Sequence, residues 1–380
     1  MHLSALNLDE VAALLVSGGK GLLCALAVTT SLLHAHSLCR AADESPSTCG
    51  KRLASIGVAN LAENRRKLRS ILFSTPSLNH GISGVVSLTH SPCVRSGLRR
   101  PRCTQIMNEE TLTQVADDGR PFAELLLANG ILPGVKLDTG TQPLPGALEG
   151  ETWTAGLDTL TQRAAAARSA GARFAKWRAV LRVDPALGCP SPQAVAEAAH
   201  SLARYAATCQ AAGLVPVLEP EVLAEGSHSL AACAAATTAT LRAVFAACEL
   251  QGVRLGAALL KPNFITPGLA GAPAASDEVA AQTLEVMRRC VPAGLPGIVF
   301  LSGGQGEMAS TAILAALARA PGPKPWALSF SFGRALQDTA LKTWGGQPAA
   351  VAAAQAVLGG RVAANLEATC GRYTGEAPPA

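Results

Sequence analysis

An α/β fold, a single (β/α)8 TIM barrel with parallel strands, is what this sequence predicts, and three observations predict it. From residue 131 onward, short apolar runs alternate with longer helix-like stretches, the order of repeated β-α units. Six such runs start at spacings of mostly roughly forty residues, which suits a strand followed by a helix and two loops. Hydrophobic residues make up 49% of the chain but aromatics only 4%, so the core is built of Ala, Leu and Val, as in helices layered around a sheet. A chain of 380 residues is long enough to close one such barrel as one domain.

Taken in order, two strands are read upstream, one around GLL and AAD and one in GISGVV (81–86). Six more follow in GVKLD (134–138), RFAKWRAV (173–180), VPVLEPE (215–221), LGAALLK (255–261), GIVFLSG (297–303) and ALSFSFG (327–333). Between them AVAEAAHSLARYAATCQAAG (194–213) carries apolar residues at helical spacing and ends on a glycine suited to a helix C-cap. Thr237 to Glu249 and Asp277 to Cys290 behave alike. Eight strands are the number that closes a barrel around packed side chains.

In a parallel barrel, polar groups at the carboxyl ends of the strands face one common pocket. Those ends carry Lys136 and Asp138, Lys176 and Arg178, Glu219 and Glu221, Lys261, Ser302 and Gly303, and Arg334. A single strand-end lysine is ordinarily a solvated charge. Lysine and glutamate together at the ends of apolar strands require a pocket that pairs or uses them.

The formal charge of +5 comes from local stretches, since Arg40, Arg95, Arg99, Arg100 and Arg102 account for all of it. The remainder is near neutral, which argues against nucleic acid as a partner. Eleven cysteines with no CxxC pair suit a reduced compartment, where buried thiols act as small hydrophobes. The run GLLCALAVTTSLL (21–33) follows Asp9 and Glu10 rather than a basic terminus and is short of the ~20 residues of a membrane span, so no membrane role is expected. His34 and His36 form an HxH, but no histidine accompanies the strand-end carboxylates, so neither a metal nor another cofactor is expected.

The strand-end constellation suits amine chemistry on a carbonyl. The attacking lysine must be uncharged, and neighbouring cations and an apolar strand favour that state. Lys261, after the apolar GAALL and before Pro262, is the best-placed candidate, with Lys136 and Lys176 as cationic neighbours. Forming and hydrolysing an imine also needs a proton donor and acceptor, and Glu219 and Glu221, two apart on one strand, share a face. SGGQ (302–305) and SFGRA (331–335) place small residues beside a helix start, where backbone N–H groups cradle a phosphate and Arg334 adds a charged fork.

Taken together, LLKPNFITPG (259–268), VPVLEPEVL (215–223), FAKWRAVL (174–181), FLSGGQ (300–305) and PWALSFSFGRALQ (325–337) resemble the class I fructose-bisphosphate aldolases. AADES (41–45), GKRLASIG (50–57), ENRR (63–66), ADDGRPF (116–122) and GVKLDTGTQPLPG (134–146) extend the likeness over nearly the whole chain. The resemblance implies that Lys261 forms the imine, that Glu219 mediates proton transfers with Glu221 and Lys176 assisting, and that Asp43 acts on the substrate C4 hydroxyl. It implies that Lys136, Asp138 and Arg178 line the pocket, that Ser302, Gly303, Gly333 and Arg334 hold one phosphate, and that Ser45, Lys51 and Arg52 lie near the other. The implied substrate is a sugar bisphosphate, and the implied assembly is a homotetramer.

Two stretches stand apart from that pattern. The resemblance would join GLL (21–23) to AADES and GVV (84–86) to NEETL (108–112), yet residues 24–40 and 87–106 intervene and differ in composition from their flanks. They are expected to be atypical inserts in one domain spanning 1–380, of the kind a translated intron produces. Two other readings stand beside an active aldolase: a catalytically impaired barrel with a binding or structural role, and a transaldolase-like imine enzyme. No Ser- and Arg-rich leader precedes Leu8, which favours the cytoplasm over a plastid.

Overall fold

Eight parallel strands close on themselves in the computed structural model, which describes residues 6–24, 46–88 and 114–375. They are β1 (Gly21–Cys24), β2 (Ile82–Leu88), β3 (Leu132–Lys136), β6 (Phe174–Leu181), β7 (Val215–Val222), β8 (Leu259–Leu260), β9 (Gly297–Phe300) and β10 (Ala327–Phe332). Each pairs with its neighbour in chain order, and β1 meets β10 through Leu22 with Ser331 and Leu23 with Phe332 to complete the ring. A short antiparallel hairpin, β4 (Thr141–Pro143) and β5 (Thr152–Thr154), stands outside the barrel between β3 and β6. The expected (β/α)8 architecture is therefore the observed one.

The helices between and around these strands are α1 (Leu8–Leu15), α2 (Pro46–Ser55), α3 (Ala62–Phe73), α4 (Phe122–Ala128), α5 (Leu160–Ser169), α6 (Pro192–Ala211), α7 (Leu230–Leu250), α8 (Ser276–Cys290), α9 (Glu307–Arg319), α10 (Arg334–Trp344) and α11 (Val351–Thr369). Two of the apolar stretches, Leu230–Leu250 and Pro348–Thr369, are long enough to cross a membrane by length and composition. Here α7 packs on α6 and α8, and α11 packs on α9 and α10, so their apolar faces belong to the barrel's outer ring.

Alternation along each strand divides the core in two. Outward residues such as Ala175, Trp177, Leu218, Leu260 and Ile298 pack under the helices in one large cluster. Inward residues Leu22, Val86, Leu132, Phe174, Val215, Val217, Leu259 and Val299 fill the lumen together with Val11, Ala12, Leu15 and Val16. Helix α1 thus plugs the amino-terminal end of the barrel. A capping box starts it, Asn7 accepting from the Glu10 N–H and Glu10 accepting from the Asn7 N–H. The lumen has room for the Phe174 ring because Gly134 and Gly84 face it, and a Cβ at Gly134 would lie 2.3 Å from Phe174 Cζ.

Several features depart from the sequence reading, among them β3, which ends at Lys136 rather than at Asp138. Within 255–261, Leu255–Ala257 forms a 3₁₀ turn and only Leu259 and Leu260 make strand. Pro262 has no N–H to continue the ladder, so β8 stops early. Strand β9 ends at Phe300, before the glycines, and the hairpin of β4 and β5 was not foreseen. Cys24 closes β1 and Ser87 and Leu88 extend β2 opposite Val135 and Lys136. The rest of the two expected inserts lies outside the described residues, as does the upstream strand segment AAD.

Candidate active site

The polar end of the lumen is set by register. Lys136 of β3 pairs with Lys176 of β6, and Arg178 of β6 pairs with Glu219 of β7, so cations and carboxylates from three adjacent strands meet at one level. Helix α6 fixes the two longer strands from outside: the Tyr205 ring stacks on Trp177 with centroids 5.4 Å apart, and its hydroxyl accepts the Val217 N–H at 3.3 Å. Thr154 of the hairpin donates its hydroxyl to the Arg178 carbonyl at 2.8 Å, so the unforeseen β5 supports β6 where the site lies.

At the centre Glu219 bridges two lysines. Its Oε2 lies 2.5 Å from Lys176 Nζ and its Oε1 2.8 Å from Lys261 Nζ. Lys176 is fully buried, Lys261 is 1% exposed and Glu219 3%, so these charges are set against one another rather than against water. Burial alone would raise the Glu219 pKa, but Lys176, Lys261 and Arg178 outweigh it and hold the carboxyl below its ordinary range. The group is held as an anion between the two amines.

Around this centre Lys136 Nζ lies 2.5 Å from Asp138 Oδ1 and donates to the Asp138 carbonyl at 3.0 Å. Asp138 Oδ2 accepts the Arg178 N–H at 3.3 Å, and the Arg178 guanidinium pairs with Glu221. Burial works against the Arg178 charge, yet Glu221, Glu219 and Asp138 outweigh it and raise its pKa. Seven charged side chains from four neighbouring strands or strand ends thus converge: Lys136, Asp138, Lys176, Arg178, Glu219, Glu221 and Lys261. All seven were read from the sequence as pocket residues.

Beyond β9, Ser302 to Gln305 make a half-buried turn in which Gly303 and Gly304 have φ of 55° and 85°, the left-handed region that favours glycine. Beyond β10, Gly333 caps α10 and Arg334 begins it, also half-buried. Such turns offer backbone N–H groups and a guanidinium to an anion. Lys51 is exposed and Arg52 buried on α2, while Asp43 and Ser45 lie outside the described residues.

Two supporting residues escaped the sequence reading. Asn263, 3% exposed, accepts the Val222 N–H at 3.1 Å and donates to the Phe264 carbonyl at 2.9 Å, tying the segment after Lys261 to the end of β7. Its signal was a polar residue immediately after Lys-Pro in an otherwise apolar run. Arg163 of α5 donates to the Leu137 and Gly156 carbonyls, bracing the strand end that carries Asp138. Nothing in an Ala-rich helix sequence marks that arginine out. Among the described residues no three His, Cys, Asp or Glu side chains cluster as a metal site.

A parallel barrel whose mouth holds a buried lysine bridged through a carboxylate to a second lysine defines an α/β-barrel enzyme equipped for amine chemistry on carbonyl compounds. Comparison with known proteins narrows the class. A sequence model of the glycolytic fructose-bisphosphate aldolase class-I family matches residues 7–93 and 98–380. Over 337 residues the chain is 48% identical to fructose-bisphosphate aldolase 6, cytosolic, of Arabidopsis thaliana, covering 89% of this chain and 88% of that protein. Over 371 residues it is 45% identical to fructose-bisphosphate aldolase 2 of Caenorhabditis elegans, covering 97% and 90%. A crystal structure of fructose-bisphosphate aldolase from Plasmodium falciparum, in complex with TRAP and a small-molecule inhibitor, superposes with a TM-score of 0.85 at 42% identity, covering 97% of this chain and 95% of that one. The chain belongs to the class I fructose-bisphosphate aldolase family, and its enzyme class is that of the carbon–carbon lyases.

Proposed function

We propose that this chain reversibly cleaves fructose 1,6-bisphosphate to dihydroxyacetone phosphate and glyceraldehyde 3-phosphate through an imine on Lys261. The observation that carries the reading is the Glu219 carboxylate, one oxygen on Lys176 and the other on Lys261 in a buried pocket. By taking the proton of Lys261, Glu219 leaves an amine that adds to the C2 carbonyl. Returning the proton to the carbinolamine hydroxyl expels water and leaves an iminium. Lys176 keeps the cluster's charge balanced while Glu219 is alternately anion and acid.

The iminium is the electron sink for cleavage. When a base takes the C4 hydroxyl proton, the C3–C4 bond breaks, its electron pair moves toward nitrogen and glyceraldehyde 3-phosphate departs. The resemblance gives the base role to Asp43. Protonation of the enamine at C3 and hydrolysis of the imine release dihydroxyacetone phosphate. Ser302, Gly303, Gly333 and Arg334 are proposed to hold one phosphate and Ser45, Lys51 and Arg52 the other, so that binding energy aligns the reacting atoms. Lys136, Asp138, Arg178 and Glu221 shape the pocket between them.

Treatment with dihydroxyacetone phosphate and borohydride should label Lys261, identified by peptide mapping, and chelators should leave turnover unchanged. A label on a different lysine would overturn the assignment. Fructose 1,6-bisphosphate should also be turned over far better than fructose 6-phosphate, the opposite of a transaldolase-like preference. The assembly expected from the resemblance is a homotetramer, and the cytosolic and cytoplasmic relatives support a cytoplasmic site of action. A catalytically impaired barrel is a second reading, favoured by the intervention of residues 24–40 before the AADES segment that carries Asp43.

A further inference from the structure

The two turns assigned to one phosphate come from different strands, and the ladder between those two strands ends before either turn. The β9–β10 ladder runs from Gly297 with Ala327 to Phe300 with Phe330 and stops two residues before Ser302. A phosphate shared by Ser302–Gly303 and Gly333–Arg334 needs those turns at a fixed separation. Immediately behind them a carboxylate joins the helices that each turn begins. Glu307, the first residue of α9, accepts the Thr339 N–H of α10 at 3.1 Å and also accepts from the Thr339 hydroxyl. Glu307 and Thr339 each stand five residues after the turn residue they follow, Ser302 and Arg334.

The clamp is braced from a third helix. The Glu307 carbonyl accepts Arg361 Nη2 at 2.8 Å and the Thr311 hydroxyl at 2.9 Å. Arg361 also donates to Thr311 at 2.6 Å, the Thr311 hydroxyl lies 3.1 Å from Asn365 Oδ1, and Asn365 donates to the Arg361 carbonyl at 2.8 Å. Arg361 is 5% exposed and Thr311 and Asn365 are fully buried, so α9, α10 and α11 are joined by one buried polar network. An acidic residue in the first turn of a helix is ordinarily placed for the helix dipole. The side chain of Glu307 instead bonds across to the neighbouring helix, behind the two turns proposed to hold the phosphate.

We propose that Glu307 is a positioning residue for phosphate recognition: its carboxylate, bonded to Thr339 and braced by Arg361, sets the separation of the Ser302–Gly303 and Gly333–Arg334 turns. The inference rests on the reading of those turns as a phosphate site. The test compares Glu307→Gln, Thr339→Val, Thr339→Ser and Arg334→Ala for KM and kcat with fructose 1,6-bisphosphate, competitive inhibition by inorganic phosphate, and Tm. Glu307→Gln and Thr339→Val should each raise KM and weaken phosphate inhibition together by about tenfold, the scale of one charge-assisted hydrogen bond, with kcat much less affected. Thr339→Ser keeps the hydroxyl and should behave as the parent. A lower Tm with KM and phosphate inhibition unchanged would overturn the clamp, while a loss of phosphate inhibition in Arg334→Ala would keep the phosphate site itself. Unchanged inhibition in Arg334→Ala would overturn both. Should Glu307→Gln fail to fold, Thr339→Val alone decides.

Discussion

Glu219 has both oxygens committed, one to each lysine, and its neighbours leave it anionic despite burial. Replacing it by Gln keeps the shape but removes the proton acceptor, so kcat should fall by about 10²–10⁴ if it is the acid–base group, while borohydride trapping on Lys261 slows in step. Turnover within a few-fold of the parent would remove Glu219 from the proton path. Its depressed pKa also has a consequence for stability. An anion favoured by the fold contributes stability at pH above about 4.5, its ordinary value, and that contribution is lost as pH falls through the lower folded value. Urea midpoints measured from neutral to acid pH should therefore decline less steeply below about pH 4.5 in Glu219→Gln than in the parent. Each of these residues was legible in the sequence as a charge at the end of an apolar strand. Which oxygen meets which amine was not, because that follows from the stagger of β6, β7 and β8.

At the scale of elements, the central lysine directly follows the shortest strand of the barrel. Strand β8 is two residues long, and its continuation is held by the Lys261 N–H on the Leu218 carbonyl at 2.7 Å, by the Leu301 N–H on the Pro262 carbonyl at 3.0 Å, and by Asn263. Side-chain and isolated backbone hydrogen bonds therefore replace the ladder that Pro262 ends. Asn263→Leu leaves the buried Val222 N–H without this acceptor and should cost about 1–3 kcal/mol in denaturant unfolding while lowering the rate of imine formation. The floor of the lumen makes a second test. Gly134→Ala puts a methyl into the Phe174 ring and should cost about 1–3 kcal/mol by overpacking, and Phe174→Leu in the same chain should recover part of the loss. Equal stability of Gly134→Ala and the parent would mean that the ring has room to move. Sequence periodicity found these strands but misplaced their ends. It also missed the β4–β5 hairpin, whose short pieces lack an apolar run.

For the molecule as a whole, the barrel separates stability from chemistry by depth. Apolar side chains and α1 close the amino-terminal end, and the paired charges occupy the carboxyl-terminal end. The expected inserts at 24–40 and 87–106 bear on this plan because they begin at the ends of β1 and β2, two strands that complete the ring. Deleting both stretches should give a chain with higher specific activity and a higher Tm, and sequencing of the mature transcript should show them absent. Intact reads across both stretches, with full activity of the longer chain, would refute that view. Sedimentation equilibrium of the same two proteins tests the homotetramer directly.

Composition, spacing and strand-end chemistry were enough to indicate a parallel barrel and to nominate the seven charges at its mouth. Those properties are local: an apolar run of strand length and a charge at its end are written in consecutive residues. Pairing is not local. That Glu219 divides its oxygens between Lys176 and Lys261, that Asn263 substitutes for a broken ladder, and that Glu307 reaches Thr339 on another helix depend on strand stagger and helix packing. Residues more than thirty positions apart are placed within hydrogen-bond reach only when the ring closes.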